Sequence, residues 1–189
     1  FEPYHPERIS GSYGGGWRRS WDYGSRKHGD WGAHHYEIVQ WALGMDETGP
    51  IEFVPKDYEG EPHQYYRYAT GTKVVRNHPD MKGHMIRFIG EKGEVMVGRG
   101  NMLKTEPENL AKRPLASSDL RLYASDNHHA NWLDCIRTRG RPIADVAIGH
   151  RSCEICLLSG IVERIGRPVR QTLGERLGHG RSLGGIGRI

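Results

Sequence analysis

Apolar and polar positions change period several times along the chain. Between residues 30 and 43, Trp31, His34, His35, Ile38, Trp41 and Ala42 recur at helical spacing, which predicts an α-helix. Asp30 stands where an N-cap or first-turn acid would favour that helix, and Gly44 suits a left-handed cap. The middle of the chain then turns to short runs of Tyr, Val, Ile and Phe. Ile51–Val54, Gln64–Ala69 and Thr72–Arg76 read as strands, with Ala69-Thr70-Gly71-Thr72 as a hairpin turn. Met85–Ile89 and Glu94–Val97 form another pair through Gly90-Glu91-Lys92-Gly93, and Leu120–Tyr123 reads as a further strand. Pro107 and Pro114 mark an irregular link before it.

Two more helices follow. His128–Arg139 places Trp132, Leu133 and Ile136 on one face, capped by Asp126 or Asn127. Val146–Ile165 carries Ile148, Cys153, Cys156, Leu157, Ile161 and Ile165 as an apolar stripe. A helix, a run of strands and then helices, without a βαβ repeat, predicts an α+β fold. Its sheet should be mainly antiparallel, open on one face and covered by helices on the other. One domain over 1–170 is expected. Residues 1–20, rich in Gly, Pro, Ser and aromatics, read as an extended arm, and the Gly/Arg-rich tail 171–189 as disordered.

Composition narrows the classes. The 189 residues suffice for one core, and no stretch approaches the ~20 apolar residues of a membrane helix. The net charge of +4 raises the question of nucleic acid. Much of the excess lies in the last stretch, while elsewhere Lys and Arg alternate with Asp and Glu, so neither a nucleic acid nor a membrane partner is expected. The first residues lack a signal pattern and an initiator Met. The start therefore reads as cut, and both cytoplasm and periplasm stay open. Three cysteines are too few for a disulfide framework. Cys153-Glu154-Ile155-Cys156 has the spacing of a redox or zinc pair, but inside a helical pattern it reads as small buried residues. Gly14-Gly15-Gly16 follows no strand and reads as a turn, not a phosphate loop, so no cofactor-binding residue is assigned.

The reactive groups concentrate in Gly29–Glu37. Asp30 and His34, four apart, share one helix face, where a carboxylate can orient an imidazole and make it a proton carrier near neutral pH. The alternative is a packed, hydrogen-bonded histidine between two tryptophans. A metal set of Asp30, His34 and His35 or Glu37 is disfavoured: His35 points about 100° from His34 and the H-E-x-x-H pattern is absent, so no metal ligand is assigned.

Asp30-Trp31-Gly32-Ala33-His34-His35, with Trp41-Ala42-Leu43-Gly44-Met45-Asp46 and Gly49-Pro50, resembles the Gfo/Idh/MocA oxidoreductase family in its bacterial form. Further matches are Tyr13–Arg19, Gly90–Val95, His128–Ile136, Arg141–Val146 and Gly149–Ser152. The resemblance implies the C-terminal, substrate-side α/β domain, without the N-terminal Rossmann half that binds NAD or NADP. It implies a sugar or polyol substrate and a homo-oligomer formed through the sheet. By the family's D-x-x-x-H pattern, Asp30 and His34 would be catalytic, with Trp17, Arg18, Lys27, Trp31 and His35 near the substrate. The chain alone would bind no nucleotide and would not turn over. Ser25-Arg26-Lys27-His28 replaces the glycines of relatives, which implies a narrowed pocket or one suited to an acidic sugar. The alternative function is a non-catalytic carbohydrate-binding or oligomerisation module.

Overall fold

The structure is a computed structural model that describes residues 6, 16–21, 24–81, 85–119 and 121–171. Helix α1 spans Arg26–Leu43 and ends on Gly44, whose φ of 64° is left-handed. Four strands follow it into one sheet: β1 (Glu52–Val54), β2 (Tyr65–Arg67), β3 (Lys73–Val75) and, from the far end of the chain, β7 (Val169–Arg170). Their order is β3-β2-β1-β7, every pair antiparallel. A second antiparallel sheet holds β4 (Met85–Gly90), β5 (Gly93–Gly98) and β6 (Met102–Glu106) in that order. Helices α2 (His128–Thr138) and α3 (Val146–Ile165) follow. The fold is α+β, with two antiparallel sheets where one was expected.

Strand alternation decides which side chains form the core. In register, Phe53 faces Tyr66, and both are buried between the four-stranded sheet and helices α1 and α3. Tyr36, Val39, Tyr68, Ile155, Cys156 and Val162 complete that cluster. Each large apolar side chain so buried contributes about 1.5–3 kcal/mol. Glu52, Val54, Tyr65 and Arg67 point the other way and line an open cleft of about 780 Å³. That sheet is thus helix-covered on one face and open on the other.

Polar contacts fix α1 relative to the rest. Gln40 is buried and donates from Nε2 to the carbonyls of Met45 and Thr48, both at 3.0 Å, while the Tyr68 hydroxyl donates to its Oε1. Arg151 of α3 reaches the Asp46 carbonyl at 2.9 Å, and Arg141 pairs with Glu47 at 2.8 Å. The loop after α1 is therefore bound to α1 and to the chain around α3. In the second sheet, Gly93 has φ 141°, and a Cβ there would lie 2.2 Å from the Glu106 carbonyl oxygen, so this position requires glycine.

Several expectations are corrected. Helix α1 begins at Arg26, so Asp30 lies in its second turn and neither caps it nor sits in its first turn. Residues 121–123 are irregular and pair with no strand among the described residues; Leu120 lies outside them. Strand β6 was hidden because Lys104, Thr105 and Glu106 break the apolar signature at a sheet edge. Within the expected arm, Gly16–Arg19 form a 3-10 turn that packs on α1. Residues 172–189 of the expected tail lie outside the described residues.

The bounds of α3 match expectation, but its stripe does not. Ser152, Ile155, Cys156, Ser159, Gly160 and Val162 are buried, whereas Cys153, Leu157, Ile161 and Ile165 are exposed. Small residues face inward because α1 and the sheet approach closely there. At Gly160 an added Cβ would meet the Trp21 ring at 2.9 Å. Trp132, Leu133 and Ile136 do share a face of α2, but that face is exposed, and α2 buries no residue. Asn127 caps it by accepting from the Ala130 N–H.

Candidate functional site

Helix periodicity puts Asp30 and His34 one turn apart on α1. Around them stand the 3-10 turn with Trp17 and Arg18, and the three-residue turn Arg99-Gly100-Asn101 between β5 and β6. The expected orienting contact between Asp30 and His34 is not formed: no hydrogen bond joins them among the described residues. Asp30 is gripped by Arg18, whose Nη2 donates to Oδ1 at 3.3 Å and whose Nη1 lies 3.2 Å from Oδ2. Both side chains are about one-third exposed (31% and 33%), so this fork–fork pair fixes geometry more than it adds stability.

His34 is exposed, and its ring meets the Trp31 ring edge-on at 6.3 Å between centroids. Arg99 covers Trp31 from the other sheet, its Cζ 4.9 Å from the ring centroid. Arg18 lies 5.9 Å from the half-exposed Trp17 ring. His35 turns back on its own helix and donates from Nδ1 to the Trp31 carbonyl at 2.9 Å. Glu37, one turn beyond His34, is half-buried. Burial lifts its carboxyl above the usual range, the His34 charge pulls it down, and Asp46 raises it again. A carboxyl that holds its proton more readily than usual thus stands beside the exposed imidazole.

The structure brings Trp17, Arg18, Asp30, Trp31 and His34 onto one shoulder of α1. Lys27 lies in the first turn of α1, and its side chain falls outside the described residues. Neither Arg26 nor His28 adds a basic wall to this shoulder. Arg26 lies over Trp21, with Cζ 5.3 Å from the ring, and His28 is buried in the core, 3.1 Å from the Tyr36 hydroxyl. None of the shoulder residues lines the cleft on the open sheet face, which involves Tyr58, Tyr65, Arg67, Arg167 and Arg170 instead. Among the described residues no three His, Cys, Asp or Glu side chains are grouped to hold a metal ion.

Over residues 1–174 the sequence matches the oxidoreductase family C-terminal alpha/beta domain of the Gfo/Idh/MocA group. The chain belongs to that family. No curated protein and no solved structure matches it. In this Gfo/Idh/MocA domain Asp30 and His34 both lie on α1, one turn apart. Arg99 is the site-facing residue that sequence reasoning missed. Its signal was the Gly98-Arg99-Gly100-Asn101 run, a hairpin turn that became legible only with β6 recognised. Among the described residues no helix is long and apolar enough to cross a membrane.

Proposed function

We propose that this chain is the substrate side of a nicotinamide-dependent oxidoreductase that acts on a hydroxyl of a sugar, polyol or related compound. The observation that carries the reading is the exposed His34 one turn from an Arg18-clamped Asp30, flanked by Trp31 and Trp17. Indole faces suit the apolar face of a sugar ring, and the clamped carboxylate suits hydrogen bonding to its hydroxyls. His34 would accept the hydroxyl proton and pass it to solvent. Asp30, held in place by Arg18, would orient the substrate.

The described residues do not fit a dinucleotide. Both sheets are antiparallel, and no strand leads through a Gly-rich turn into a helix. NAD or NADP would be held by other residues, and this chain alone is expected neither to bind it nor to turn over. A homo-oligomer through the open face of the four-stranded sheet is also proposed. Glu52 there is already paired with Arg67 and Arg170 of the same chain, so a second copy would meet a row of largely compensated charges.

The test joins the chain to a Rossmann domain and assays sugar-dependent NAD(P) reduction. His34→Ala should lose at least about 100-fold in kcat, the usual scale of general-base catalysis, and Asp30→Asn should fall with it. Unchanged kcat in His34→Ala would overturn the assignment. Sugar binding with no turnover in any form would favour the non-catalytic carbohydrate module, to which the half-exposed Trp17 is equally suited.

A further inference from the structure

Among the described charges of the α1 shoulder, one guanidinium has no carboxylate partner. Asp30 is matched by Arg18, in two contacts of 3.2 and 3.3 Å. Glu37 lies further along α1 between His34 and Asp46. Arg99 is exposed and lies over the Trp31 ring, its Cζ 4.9 Å from the centroid, with no carboxylate or hydrogen-bond acceptor among the described residues. Its backbone is set to present it. The turn spans three residues between the paired Gly98 and Met102, and Gly100 (φ 71°) and Asn101 (φ 60°) adopt the left-handed region. A guanidinium held over an indole by cation–π attraction keeps N–H donors available for one planar anion. The Trp31 centroid is 6.3 Å from that of His34, so guanidinium and imidazole are apart by no more than the sum of those two distances. One small ligand spans such a gap.

Resting on the reading of this shoulder as the substrate site, we propose that Arg99 selects a carboxylate-bearing sugar, a uronate or aldonate, over a neutral one. The sugar ring lies against Trp31, the carboxylate is held by the Arg99 fork, and a ring hydroxyl points at His34. One bidentate guanidinium matches the single charge of a carboxylate and leaves a dianionic phosphate with one charge uncompensated. Arg26, the exposed arginine at the start of α1, lies over Trp21 and takes no part.

The experiment is a titration of the purified chain with glucuronate, glucose and glucose 6-phosphate, read from the indole N–H resonance of Trp31 and the ring signals of His34. Glucuronate should bind at least about tenfold more tightly than glucose, the scale of one charge-assisted hydrogen-bond pair. Arg99→Gln, at an exposed position, should erase that ratio by weakening glucuronate binding, and Arg26→Gln should preserve it. Equal binding of glucose and glucuronate at Trp31 overturns the Arg99 assignment and leaves the substrate site standing. So does a ratio that survives Arg99→Gln. Tighter binding of glucose 6-phosphate overturns the choice of carboxylate. No response of Trp31 or His34 to any of the three overturns the site and the assignment together.

Discussion

His28 gives the fold a measurable acid sensitivity. Its side chain is 7% exposed and hydrogen-bonded to Tyr36. Burial above all, and the nearby Arg76 charge second, push its pKa down to about 3. In the unfolded chain the imidazole titrates near its ordinary 6.5. Between those values the unfolded state binds the proton and the folded state does not. The penalty is therefore absent above about pH 6.5, grows as the pH falls through the window, and is complete near pH 3. Inside the window each unit costs about 1.4 kcal/mol, so moving from pH 7 to pH 5 removes about 2 kcal/mol. That is a sizeable share of a domain stability of ~5–15 kcal/mol. Urea unfolding at pH 7.5, 6 and 5, on the wild-type chain and on His28→Gln, measures it. Glutamine keeps a polar group for Tyr36 but takes up no proton. Carboxylates titrate alike in both proteins, so the difference between the two curves isolates the histidine. The wild type should lose about 2 kcal/mol more than the variant over this range. Parallel curves would refute the argument, since they would mean that His28 is charged as easily folded as unfolded.

Two further outcomes follow from burial. A thiol reagent at pH 8 should label the exposed Cys153 in the folded chain and spare Cys156, which is buried and whose thiol is pushed up to about 12 by that burial; equal labelling before denaturation would contradict the packing of α3. On the same helix, Ile155→Ala should cost about 2–5 kcal/mol in urea unfolding and Leu157→Ala no more than about 0.5 kcal/mol, the reverse order being the result that sinks the assigned face.

Why Leu157 was placed on the buried face of α3 from sequence shows where pattern reading stops. Periodicity located the helix to the residue, because Asp145 and Gly166 bracket it with chemistry that acts locally: a side-chain acceptor for the Ala147 N–H and a left-handed φ of 65°. The buried face is a different kind of fact. It depends on the distance to α1, and at close approach Ser, Gly and Cys outcompete Leu and Ile for the interior. The same division runs through the site. Asp30 and His34 were legible because four residues make one helical turn whatever the tertiary structure. The partner of Asp30 was not, because Arg18 reaches it from a separate turn, across 12 residues of chain. Arg99 comes from further still, out of a hairpin whose second strand is polar, and His28 sat in a basic run that reads as surface until the core closes over it. A spacing motif therefore names the groups that one element carries. The charge each group meets, on which substrate choice depends, is set by elements that the motif does not contain. In this chain one such element is the turn of the second sheet that carries Arg99.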